Sequence, residues 1–118
     1  MEPTLEIEIG EMPEGQKYQV IKFSGEFDKA GQTDIKKQLE DHVKNFPSVV
    51  LVFDFTALKF INSEGIGYLM EIHAHLVKGG KKLVIVGPPA NIQDVFKAIG
   101  IQDVIPVYTD MQSFLNAV

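Results

Sequence analysis

The sequence predicts an α/β fold: a mixed, mostly parallel β-sheet with an antiparallel N-terminal hairpin, flanked by about four helices. Three observations lead there. Two near-continuous apolar runs, "VVLVFDF" (Val49 to Phe55) and "KLVIVG" (Lys82 to Gly87), have the pattern of central strands covered on both faces. Segments with apolar residues at helical spacing alternate with these runs, which favours parallel strands joined by helical crossovers. The N-terminal stretch instead alternates in period two on either side of turn residues, the pattern of a hairpin.

In chain order, "LEIEI" (Leu5 to Ile9) is the first strand, "GEMPEGQ" supplies Gly and Pro turn signals, and "YQVIKFS" resumes a strand. A first helix is expected from Thr33 to Phe46, where Ile35, Leu39, Val43 and Phe46 recur at helical spacing and Pro47 marks the stop. After "VVLVFDF" a second helix runs from about Ser63 to Lys78, ended by Gly79 and Gly80. Its apolar arc is Ile66, Leu69, Met70, Ile72, Leu76 and Val77. After "KLVIVG" a third helix carries Ile92, Val95, Phe96 and Ile99 before Gly100. A last strand, "VIPVY", suits a sheet edge because Pro106 has no N–H to donate, and a short helix opens at Asp110.

Bulk properties narrow the function. A chain of 118 residues, 45% hydrophobic, is expected to form one domain over residues 1–118. Eleven Lys and Arg against 16 Asp and Glu give a net charge of −5 with no basic cluster, which argues against nucleic acid and anionic membrane as partners. With no cysteine, disulfide frameworks, thiolate zinc sites and thiol catalysis are excluded. "MEPTLEIEIG" does not have the pattern of a signal peptide, and no apolar run approaches the roughly 18 residues of a membrane span, so a cytoplasmic protein is expected.

"FINSEGIGYLM" (Phe60 to Met70) poses the sharpest question. Ser63 stands between a strand-like and a helix-like run and is expected to be the N-cap of the second helix, with the positive end of the helix dipole beside its oxygen. Gly65 and Gly67 follow, each costing about 1 kcal/mol relative to alanine inside a helix, more than capping explains. Something approaches closely: the sheet beneath, or an outside body such as a phosphate or a partner's backbone at the helix N-terminus.

Taken together, "SGEFD" (Ser24 to Asp28), "LVFDFTALKFINSEGIG" (Leu51 to Gly67) and "GKKLVIVGPP" (Gly80 to Pro89) resemble the STAS domain family, and within it the bacterial anti-sigma factor antagonists. The resemblance runs from the N-terminal hairpin to the terminal helix. It implies the STAS-type fold and a protein that is not an enzyme. It further implies binding to an anti-sigma factor with serine kinase activity, phosphorylation at Ser63 to break that complex, and resetting by a PP2C-type phosphatase. Partner-binding positions would be Asp28, Asn62, Ser63, Glu64, Gly65 and Gly67. Asn62 stands where the family usually has Asp, keeping the size and hydrogen-bonding reach without the charge. Asp28 matches an acidic residue close to the acceptor serine; read from the residues alone, it is equally a cap or turn residue of the first helix. Glu64 suits the first helical turn, though its charge would repel a neighbouring phosphate.

Other chemistry-bearing residues read as structural. His73 lies within the apolar arc of the second helix, and His75, about 200° further round, cannot share a metal with it. His42 sits beside Ile35, Leu39 and Val43. Asp54 is placed like the phosphoacceptor of a receiver domain, but "QVIKFSGEFD" lacks the acidic pair that holds magnesium there. "GIG" lacks the third glycine of a dinucleotide fingerprint, and no cofactor or metal is expected. Two alternatives stay open beside the antagonist: a non-phosphorylated STAS scaffold in a signalling or transport assembly, and a small α/β enzyme using Asp54 or His73. A homodimer is left open too.

Overall fold

The computed structural model describes residues 2–118. Its elements are β1 (Leu5–Ile9), β2 (Tyr18–Phe27), α1 (Lys29–Lys44), β3 (Val50–Ile61), α2 (Ser63–Lys78), β4 (Lys82–Val86), α3 (Ala90–Ile99), β5 (Val107–Tyr108) and α4 (Met111–Ala117). The strands lie side by side in chain order; β1 is antiparallel to β2 and every later neighbour is parallel, the hairpin and parallel remainder that the sequence predicts. Because the order never reverses, right-handed crossovers swing over the same face each time. Thus Ile35 and Leu39 of α1, Leu69 and Ile72 of α2, and Ile92 and Phe96 of α3 share one core with Phe23, Phe53 and Phe55 of the sheet. Phe23 anchors it, with its ring centroid 4.6 Å from that of Phe53 and 5.1 Å from that of Phe55. On the opposite face α4 sets Phe114 against Val52, Val84 and Val86.

Several elements differ from the sequence reading. Helix α1 starts at Lys29, four residues before the expected Thr33, because Asp28 caps it, and Gly31 lies inside its first turn. Strand β3 continues past Phe55 to Ile61, where a register shift against β2 breaks the period-two pattern between the Lys22–Asp54 and Ser24–Ala57 pairs. Strand β5 shrinks to Val107–Tyr108, as Ile101–Asp103 forms a 3-10 turn and Val104 is exposed. The buried side of α2 is Gly65, Tyr68, Leu69, Ile72 and Leu76, so Tyr68 joins the core and Val77 faces outward.

The long β2–β3 pair positions the site. Strand β4 pairs with β3 only from Val50 to Asp54, whereas β2 stays paired with β3 as far as Phe27 and Ile61. The two strands therefore run on together beyond the rest of the parallel sheet. Strand β1 supports β2 there, and the Asp34 carboxylate of α1 accepts from the N–H groups of Thr4 and Leu5 at its start. At the other end of α1, His42 Nε2 donates to the buried Gln19 side-chain oxygen at 2.9 Å, and the Gln19 amide donates to the Gly10 carbonyl.

Burial holds His42 below its ordinary value of 6.5, so folding favours the neutral imidazole. The unfolded chain then binds more protons just below that value, and this contribution to stability, complete above it, is lost as pH falls towards the lower folded value. Urea midpoints taken from about pH 7.5 to about pH 5.5 should fall more steeply for wild type than for His42→Gln. Parallel curves would show that His42 titrates alike in both states.

Candidate functional site

Strands β2 and β3 end in register at Phe27 and Ile61, and each leads straight into a helix, so the N-termini of α1 and α2 are neighbours. The Asn62 N–H donates to the Phe27 carbonyl, tying the two turns together. Both helices open the same way. Asp28, with extended backbone, accepts from the Gly31 N–H at 2.8 Å, and Asn62, also extended, accepts from the Glu64 and Gly65 N–H groups at 3.1 Å each.

Asn62, and not Ser63, is thus the N-cap of α2, which corrects the sequence reading. Asn caps as well as Ser does, and coming one residue earlier it is the side chain that reaches the free N–H groups of the first turn. A carboxylate there would make the same two bonds, so Asn in place of the family's usual Asp leaves capping intact. Ser63 is the first helical residue, exposed, and its hydroxyl has no hydrogen-bond partner among the described residues.

The two glycines that follow have different causes. A Cβ on Gly65 would stand 2.3 Å from the Phe27 carbonyl oxygen and 2.8 Å from Ile61 Cγ1, so the first turn of α2 lies against the strand ends with room for hydrogen alone. Gly31 repeats this in α1, 2.2 Å from the Glu26 carbonyl oxygen. The shared spacing of cap and glycine, in "DKAG" and "NSEG", is the sequence signal by which Gly31 could have been found. Gly67 is the contrary case: a Cβ there meets nothing within 4 Å. Four residues after Ser63, it stacks on the same outward side of α2.

Around these lie the other expected residues. Asp28 is half-buried, its carboxylate engaged as the α1 cap, and the tie between Phe27 and Asn62 brings it beside the start of α2. Glu64 is exposed and stands 4.0 Å from the equally exposed Lys29 ammonium, an ion pair worth little in water. Phe60, which the sequence reading passed over, is 44% exposed one residue before the end of β3, because a second register shift, between the Gly25–Leu58 and Glu26–Phe60 pairs, breaks the alternation that would put it on the same side as buried Leu58. Asp54 lies outside this cluster, its carboxylate accepting from the N–H and hydroxyl of Thr56. The histidines do not gather, and no group of three or more His, Cys, Asp or Glu is placed to hold a metal among the described residues. No helix among them is long and apolar enough to cross a membrane.

The STAS domain family matches residues 11–114. The chain belongs to that family. Solved structures agree on the STAS fold. An anti-sigma factor antagonist from Mycobacterium paratuberculosis superposes with a TM-score of 0.82 at 20% identity, over 98% of this chain and 95% of that one. The Bacillus cell fate determinant SpoIIAA in its phosphorylated form gives 0.67 at 18% identity, over 96% and 100%. A sulfate transporter family protein from Wolinella succinogenes gives 0.72 at 14% identity, over 86% and 84%. No curated protein matches this STAS chain by sequence.

Substituting the two glycines should separate their causes. Gly65→Ala should lower stability by about 1–3 kcal/mol, since the methyl group meets backbone that cannot move aside. Gly67→Ala should raise it by up to about 1 kcal/mol, the helix-propensity gain at an open site. Urea denaturation of both variants measures this, and a Gly65→Ala protein as stable as wild type would show that α2 is not held against the strand ends.

Proposed function

We propose that this chain is an anti-sigma factor antagonist, a single binding domain over residues 1–118 without catalytic activity or cofactor. In this reading it works in the cytoplasm, binding an anti-sigma factor with serine kinase activity and so freeing a sigma factor. Phosphorylation of Ser63 ends the complex, and a PP2C-type phosphatase restores it. The observation that carries the reading is the Ser63 hydroxyl: exposed, without an internal partner, and on one outward face with Gly67, where no neighbouring atom explains the missing side chain. A glycine that weakens its helix yet relieves no internal crowding fits a surface on which another protein's backbone comes down closely. Asp28, Asn62 and Glu64 then form the rest of that surface, while Gly65, expected there from the sequence, is buried against the strand ends and with Asn62 holds the turn in shape.

A phosphate on Ser63 would bring a charge of about −1.5 to −2 and three acceptor oxygens to a helix N-terminus whose cap is neutral. The helix dipole and the nearby Lys29 favour that charge in the free protein, so the fold is preserved. In a complex the same charge is desolvated against a partner face shaped for a hydroxyl, at a cost of several kcal/mol, which changes affinity by orders of magnitude. Likeness to a sulfate transporter family protein supports a second reading, a STAS scaffold that assembles without phosphorylation.

Ser63→Ala and Ser63→Asp distinguish the two. Since Ser63 is not the cap, both variants should keep wild-type stability to within about 0.5 kcal/mol, whereas Asn62→Ala should lose about 1 kcal/mol. In pull-downs, Ser63→Ala should retain an anti-sigma factor in the presence of ATP and Ser63→Asp should not. Equal capture by both variants, together with no phosphorylation of wild type at Ser63, would leave the scaffold reading in its place.

A further inference from the structure

Helices α1 and α2 do not close fully against each other, and the space between them is a cavity of about 400 Å³. That lies within the roughly 300–1,000 Å³ of small-molecule sites. Its apolar wall is Leu39, Val43 and Ile72. Tyr68 also lines it, only 3% exposed, with a buried hydroxyl that has no hydrogen-bond partner among the described residues. Such a group destabilises the fold unless a partner arrives. Glu40 and Glu71 line the same cavity from opposite helices. Burial first, and then the charges of these two carboxylates, push the Tyr68 phenol well above its ordinary value of 10.0, so it stays protonated. Lys44 and His75 stand one turn beyond Glu40 and Glu71, yet neither forms an ion pair with them among the described residues.

We propose that this cavity binds a small organic cation, a primary ammonium carried on one aromatic ring or a comparable alkyl body. An ammonium has three N–H donors and no acceptor; the Glu40 and Glu71 carboxylates of the lining accept two, and the Tyr68 hydroxyl oxygen, buried in the free protein, accepts the third as the groove opens around the ligand. The body of the ligand takes the wall of Leu39, Val43 and Ile72. A bare metal ion would use the carboxylates and leave that wall uncovered, and an anion would be repelled. The site lies about 12 Å along α2 from Ser63, and the inference does not rest on the partner-switch reading.

The test is an NMR titration of the ¹⁵N-labelled full chain with 2-phenylethylamine, with 2-phenylethanol as the neutral control and 3-phenylpropanoate as the anionic one. The amine should give saturable shifts confined to the amides around Leu39 to Lys44 and Tyr68 to His75, and the controls should not. Tyr68→Phe removes an unpartnered hydroxyl, so it should remain folded while binding the amine severalfold more weakly. A Glu40→Gln/Glu71→Gln double variant should weaken binding at least about tenfold. Absence of saturable shifts up to about 10 mM amine, shifts centred elsewhere, equal binding of the alcohol, or unchanged affinity in the double variant would each overturn the proposal.

Discussion

The parallel register of β2 and β3 is the constraint from which the rest of this site follows. Because Phe27 and Ile61 are partners across the ladder, the chain leaves both strands at one level and enters two helices side by side. The Asn62 N–H to Phe27 carbonyl bond continues the ladder through the turn, so neither helix can shift along its strand without breaking a backbone hydrogen bond. Gly31 and Gly65 follow from it: with the strand ends fixed, each first helical turn rests on a carbonyl oxygen that leaves no space for a methyl group. In this region the backbone decides the side chains.

The sheet order has its own consequence for what such a surface can do. Where strand order reverses in an open α/β sheet, helices on opposite faces part and leave a crevice at the carboxyl ends of the strands. Here the order runs β1 to β5 without reversal and the crossover helices lie on one face. The ends of β2 and β3 therefore present helix termini side by side and not a cleft between them. A surface of that kind suits recognition by another folded chain, and the exposed Phe60 ring beside it is an apolar contact such a chain could cover.

Electrostatics distinguishes the two helix starts. Asp28 places a full negative charge at the positive end of α1 and engages it in capping. Asn62 gives α2 the same capping geometry with no charge, so the positive end of α2 is offset only by Glu64, which is exposed and shares Lys29. Ser63 thus stands where an added anion meets the least opposition from the cap. The exposure of Ser63 and Gly67 costs the fold little beyond the propensity penalty of one open glycine.

Read alone, the sequence determined the α/β class, the hairpin edge, the central β3 and β4, and the extent of α2 from Ser63 to Lys78. Each of these is written in local periodicity and in local stop signals such as Gly79. It also singled out Ser63, Gly65 and Gly67, because a polar residue followed by glycines at a helix start is unusual within a short window, while Asp28, Asn62 and Glu64 came from the resemblance to the STAS family. Tertiary structure decided the rest. The bulge between β2 and β3 hides the second half of β3 from any period-two search, and burial by neighbouring helices, not periodicity, puts Tyr68 inside and Val77 outside. Asn62 and Ser63 are both good caps by composition, so which of them serves depended on where the β2–β3 ladder releases the chain. Gly65 and Gly67 are the same residue type two positions apart in one helix, and only the Phe27 carbonyl beneath the first, with open space beside the second, gives them different reasons to be glycine.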